Sequence, residues 1–145
     1  MKTSGPSRSD VLAAVRDGWS IAIRAGSKAH RFIRIWAVVV EGRVFVRSWS
    51  LSARGWYRTL LVEPLGAVQV GRQTMSFRAA RPRGEPLRAA VDRAYLRKYA
   101  RPGEAHYARD LCERRSRATT TELILDFEPT VRRPYRAPRA RAARA

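Results

Sequence analysis

The stretch RIWAVVVEGRVFVRSW, residues 34–49, leaves this chain little choice of fold. Its two valine-rich arms alternate with period two around Glu41-Gly42, the pattern of an antiparallel hairpin with a tight turn. Counting outward from the turn sets Val40 against Arg43, Val38 against Phe45, Trp36 against Arg47 and Arg34 against Trp49. Successive strand side chains point to opposite faces. One face is therefore aliphatic (Ile35, Ala37, Val39, Val44, Val46), and the other carries two arginines and two tryptophans. The aliphatic face suits the wall of a small barrel. The Arg/Trp face has three readings: a ligand cradle, arginines stacked on tryptophans across an open sheet, or a dimer seam.

The rest of the chain agrees with a mainly β fold. SRSDVLAAVRDG reads as a short helix capped by Ser7 or Ser9, striped by Val11, Leu12 and Val15, and stopped by Gly18. WSIAIRA, residues 19–25, alternates as a strand. WYRTLLVEPLG suggests a short helix or irregular turn ending before Pro64, and AVQVGRQTMSFRA a second hairpin centred on Gly71-Arg72. Residues 85–100 give the clearest helix, with Leu87, Val91, Ala94, Tyr95 and Lys98 on one stripe and Pro86 in the first turn. A weaker helix follows over EAHYARDLCERRS. ATTTELILDFEP closes the domain as a strand, alternating Leu123, Leu125 and Phe127 with Glu122, Ile124 and Asp126. About six strands with hairpin turns outnumbering crossovers predict a small antiparallel split β-barrel with flanking helices over residues 1–129.

Charge narrows function less than it first suggests. Thirty basic residues against 12 acidic give +18, and all but Lys2, Lys28 and Lys98 of the cations are arginine. Scattered arginines amid alanine and valine fit a compositional bias better than a dedicated phosphate surface, although such a surface attracts polyanions non-specifically. Residues 130–145 add six arginines and no acid, which predicts a disordered Arg/Ala-rich tail. A basic module touching nucleic acid through that arm is one function class to test. Cys112, a lone cysteine, excludes an intrachain disulfide and a cysteine-based zinc cluster. No apolar run approaches the roughly 18 residues that span a bilayer, and MKTSGPSRSD does not look like a signal peptide. A cytoplasmic protein with no membrane partner is the expectation.

Side chains for acid–base work are sparse. His30 and His106 have no carboxylate partner in sequence, Lys98 suits a carboxylate or helix-end carbonyls, and no metal-ligand spacing or glycine-rich nucleotide loop is present. Anion binding is better served. Arg34, Arg47, Arg54 and Arg58 are the candidate guanidinium forks, and a helix start at Gly55-Trp56 adds N–H donors. Trp36, Trp49 and Trp56 are candidates to stack on a flat heterocycle.

Taken in order, IWAVVVEGRVFVRSW, GWYRTLL, GAVQVG, AYLRKYA and TELILDFEP resemble a bacterial family of unassigned function. That family is related to the FMN-binding split barrels, which include pyridoxamine-phosphate oxidases and deazaflavin-dependent nitroreductase-like enzymes. The resemblance covers roughly residues 19–128. It implies a two-fold homodimer with FMN or deazaflavin at the subunit interface, the ring along the first hairpin and the phosphate near the loop that follows. It further implies a phosphate-binding Arg34 and ring- or phosphate-contacting Arg47 and Ser48. Arg54, Trp56, Tyr57 and Arg58 would line the phosphate loop; apart from the resemblance, the Tyr57 hydroxyl is the candidate proton donor to a reduced substrate. Two segments depart from the flavin-binding pattern: Val38-Val39-Val40, where a basic residue is usual, and SARGWYR in the phosphate loop. The leading expectation is an oxidoreductase that passes hydride to a small hydrophobic substrate. The second is a cofactor-free barrel that binds or converts a biosynthetic intermediate.

Overall fold

A computed structural model of the chain describes residues 7–28, 31–49 and 55–127. Within them, α1 (Arg8–Asp17) leads into β1 (Ile21–Ala25), β2 (Ile33–Ile35), β3 (Ala37–Val40) and β4 (Arg43–Val46). Helix α2 (Trp56–Val62) precedes the hairpin of β5 (Leu65–Val70) and β6 (Gln73–Ala80). Three helices, α3 (Glu85–Lys98), α4 (Ala105–Asp110) and α5 (Arg114–Arg117), then lead to β7 (Thr121–Leu125). The strands form one antiparallel sheet in the order β2-β1-β5-β6-β7-β4-β3. The two edge strands are consecutive in sequence and separated only by Trp36, so the sheet curls into a nearly closed barrel.

Trp36 is where the first hairpin departs from its sequence pattern. The pairing of β3 with β4 holds as expected: Val40 faces Arg43, Val38 faces Phe45 and Ala37 faces Val46. Beyond Trp36 the chain turns away and pairs with β1 instead, setting Arg34 beside Ala22 rather than opposite Trp49. A long hairpin cannot stay paired around a barrel this small, and the corner at Trp36 adds a seventh strand to the six expected. The 104–116 helix is likewise two short pieces, α4 and α5. The expected tail, 130–145, lies outside the described residues.

The aliphatic face lies where its pattern placed it. Ala37, Val44 and Val46 pack with Ile21, Ile23, Val68, Phe77 and Leu123 in the barrel interior, joined by Val11 and Val15 of α1. Ile23 and Val68 are fully buried, each worth about 1.5–3 kcal/mol over exposure. Gly66 on β5 is required by this closure. A Cβ there would lie 2.4 Å from the Arg24 carbonyl oxygen and 2.6 Å from Phe77 Cζ.

A second cluster covers the outside of β3 and β4. Val38 and Phe45 point away from the barrel and are buried beneath Val91, Tyr95 and Tyr99 of the α3 segment. The stripe read from residues 85–100 is therefore the face that docks on the sheet.

The β3–β4 turn carries a small strain. Glu41 sits at φ 53° and Gly42 at φ 73°, the type I′ arrangement that asparagine-glycine adopts most easily. A non-glycine residue there costs about 1 kcal/mol, and asparagine tolerates it better than glutamate. Glu41→Asn is expected to raise the midpoint of urea unfolding, with about 0.5 kcal/mol gained and an unchanged slope.

Candidate functional site

The Arg/Trp face is only partly covered by α3. Past the corner, a pocket of about 280 Å³ opens between Arg34, Ile35, Trp36, Arg47, Trp49, Tyr107 and Leu111. Four residues singled out in the sequence thus meet at one place, although the barrel corner brings them together rather than strand pairing. Trp36 is stacked on Tyr99, with ring centroids 3.8 Å apart and planes 3° from parallel. Trp19 meets both rings edge-on. The Trp36 wall is therefore fixed. Trp49 is 61% exposed, meets Tyr107 edge-on at 5.3 Å, and its Nε1 donates to Asp110 at 3.4 Å. Together they form an aromatic lip.

The two arginines differ sharply in what they can still bind. Arg34 donates from Nε to Ser20 Oγ at 2.9 Å and from Nη2 to the Ser20 carbonyl at 3.4 Å. Its Nη1 group carries no bond to the described residues. Arg47 is buried and committed. It donates from Nε to Thr120 Oγ1, from Nη1 to Asp92 Oδ1 at 2.5 Å and to the Leu111 carbonyl, and from Nη2 to the Arg88 carbonyl. Four of its five N–H groups are spent. Asp92 also takes Arg117, which reaches Glu85 at 2.6 Å, so two arginines and two carboxylates form a charge-neutral quartet. This network ties β4 to α3 and α5 and shapes the floor of the pocket.

The remaining candidates do not converge there. Ser48 is buried, and its N–H donates to Thr119 Oγ1 at 2.8 Å. Trp56 packs in the barrel core, and Tyr57 donates its hydroxyl to the Ala118 carbonyl at 3.3 Å. Arg58 is exposed on α2 and does not line the pocket. Arg54 and His30 lie outside the described residues. Among the described residues no group of three or more histidine, cysteine, aspartate or glutamate side chains gathers for a metal, and no helix is long and apolar enough to cross a membrane.

Sequence reasoning missed Asp92 and Tyr107. Asp92 had a signal: an acid within AAVDRAYLRKYA, on a helix otherwise read as docking on the sheet, needs a buried cation. Tyr107 sits in a helix too short to show periodicity.

Residues 13–123 match the family described as uncharacterized proteins conserved in bacteria, DUF2255. The chain belongs to the DUF2255 family. No curated protein matches it. The match spans α1 into β7 and so takes in every described residue that lines the pocket. Within this DUF2255 chain, Cys112 is half-buried, and burial pushes its thiol up, away from the reactive thiolate.

Lys98 is a structural clamp at the far end of α3. Its Nζ donates to the Val15 carbonyl in the last turn of α1 at 2.7 Å and to the Ala37 carbonyl at 2.6 Å. Burial pushes it from the usual 10.5 down to about 8, against the pull of Asp17. Burial holds the Tyr95 and Tyr99 hydroxyls above the usual 10. Between about pH 8 and 10.5 the unfolded chain keeps a proton that folded Lys98 has lost, so stability rises with pH. Above pH 10 the unfolded tyrosines ionise first, and stability falls. Thermal melts across pH 7–11 are expected to show that rise and fall, and Lys98→Met is expected to flatten the rising limb.

Proposed function

We propose that this DUF2255 protein binds the flat ring of a flavin or deazaflavin against Trp36, Trp49 and Tyr107, with Arg34 facing the ligand's anionic end. The working unit in this reading is a homodimer. The observation that carries it is the pocket itself. Three aromatic side chains and one guanidinium with donors to spare line a single recess beside the first hairpin. Aromatic walls gain about 0.5–1.5 kcal/mol per ring contact beyond burial, and a guanidinium fork suits phosphate or carboxylate oxygens.

The fit is good for the ring. For the phosphate, Arg34 alone among the described residues lining the pocket offers a free –NH2 group, since four of the five Arg47 N–H groups are taken by Asp92, Thr120 and the Leu111 and Arg88 carbonyls. When bound, such a ring supplies hydride transfer to or from a small hydrophobic substrate. The chain's own residues orient the ring and exclude water on the Trp36 side. Arg47, neutralised by Asp92, keeps the floor rigid rather than contributing charge.

That commitment of Arg47 also favours a second reading. A cofactor-free barrel that binds a planar organic intermediate needs only Arg34 and the aromatic lip.

Titration of FMN and of a deazaflavin, followed by tryptophan quenching, separates the two. Saturable quenching by either at tens of micromolar or below supports the first, and Trp49→Ala is expected to weaken it about tenfold, or about 1.4 kcal/mol. No quenching by either up to about 1 mM removes the flavin reading and leaves the second.

A further inference from the structure

Charge limits the ligand of the Arg34–Trp49 pocket more sharply than the shape of its walls does. The described residues that line it include two cations, Arg34 and Arg47, and no acid. Arg47 is paired with Asp92 and adds no net charge. Asp110 stands beside the lip, where it accepts from Trp49 Nε1 at 3.4 Å. One negative charge on the ligand is therefore matched by Arg34, and a second meets Asp110 with no further cation in the described lining. Size points the same way. At about 280 Å³ the recess is small beside the roughly 300–1,000 Å³ of most ligand sites, which suits a ring system better than a ring with a phosphate-bearing tail.

Arg34 also presents a particular arrangement of donors. Its Nε and Nη2 donate to Ser20 Oγ and to the Ser20 carbonyl, so the side edge of the guanidinium is taken. Two of its five N–H groups are spent, and the three that remain sit on Nη1 and the outer side of Nη2. That end edge is a planar fork, the match for the two coplanar oxygens of a carboxylate. A carboxylate bonded directly to an aromatic ring lies near the ring plane, so one flat ligand fills the fork and lies against the aromatic walls together. A phosphate monoester brings close to two charges and three oxygens. One fork leaves an oxygen and the second charge to water, and an exposed guanidinium holds that second charge weakly across solvent.

We propose that this pocket selects a fused aromatic ring bearing one carboxylate, seated on the Nη1–Nη2 edge of Arg34, and does not read a phosphate. The inference rests on the flat-ring reading above and names the anion that goes with the ring. A flavin bound here is held by its ring, with its phosphate left in water.

Two matched pairs of probes test it on the full chain, followed by the indole resonances of Trp36 and Trp49: 2-naphthoate against 2-naphthamide, and FMN against riboflavin. The naphthoate is expected to bind at least about fivefold tighter than its amide, and Arg34→Gln to remove that difference. Arg34 is exposed, so the variant is expected to keep the wild-type circular dichroism melt. FMN is expected within about threefold of riboflavin. A naphthoate that binds no better than its amide, or a preference that Arg34→Gln leaves intact, overturns the carboxylate site and spares the flat-ring reading. FMN more than about tenfold tighter than riboflavin means that the phosphate is read, and overturns the selection. If none of the four probes moves Trp36 and Trp49 at about 1 mM, the flat-ring reading fails and this inference with it.

Discussion

Asp92→Ala is expected to destabilise the fold by about 3–5 kcal/mol, the usual cost of leaving a buried charge without its partner. The Arg47 side chain is fully buried, and Asp92 is its only counter-ion among the described residues. The carbonyls of Leu111 and Arg88 and the hydroxyl of Thr120 remain, but none of them carries a charge. The same change frees Arg117 from its inner contact and leaves it, among the described residues, Glu85 at the surface. Replacing both members, Arg47→Met with Asp92→Leu, is expected to recover most of the loss, because an apolar pair carries no desolvation penalty. Urea unfolding of the two single variants and the double variant measures this directly. A loss under 1 kcal/mol for Asp92→Ala would mean that water reaches Arg47, and the neutral pocket floor would be wrong.

Tyr99→Ala is the second large effect, at about 3–5 kcal/mol for an aromatic side chain removed from a packed core. Tyr99 is completely buried, backs the Trp36 ring face to face, and donates its hydroxyl to the Trp19 carbonyl at 2.6 Å. Tyr99→Phe keeps the stack and loses the hydrogen bond, for an expected cost of about 1 kcal/mol. The two differ in function as well as stability. With phenylalanine the Trp36 wall stays in place, and ligand binding should be unchanged. Alanine frees Trp36 to rotate, so any residual folded protein should bind a flat ligand at least several-fold more weakly.

Much of this fold could be read in the sequence because period-two patterning reports burial directly. The aliphatic set Ile35, Ala37, Val39, Val44 and Val46 belongs to the barrel interior as written, and Gly71 turns the second hairpin at φ 61°. The α3 stripe of Leu87, Val91, Ala94 and Tyr95 packs with Val38 and Phe45. The corner at Trp36 was not legible. Alternation continues through it without a glycine, proline or bulge signal, and only the closure of the sheet decides that Arg34 turns to β1. The candidate site followed the same division. Arg34, Trp36, Arg47 and Trp49 do share a pocket, but sequence gives no measure of how far a guanidinium is already spent. Arg47 reads as a phosphate ligand until Asp92, 45 positions away, is seen to hold it. Trp56, Tyr57 and Arg58 read as neighbours of that cradle, yet α2 carries them elsewhere, with Trp56 turned into the core.

What the pocket beside the first hairpin holds decides the function of this protein. The most direct measurement is the indole N–H resonances of the four tryptophans during titration with FMN or a deazaflavin. A flat ring bound there gives saturable shifts for Trp49 and Trp36 with the same midpoint, and a Trp56 signal that does not move. Shifts at Trp56 alone, or none at Trp36 and Trp49 at millimolar ligand, would contradict it.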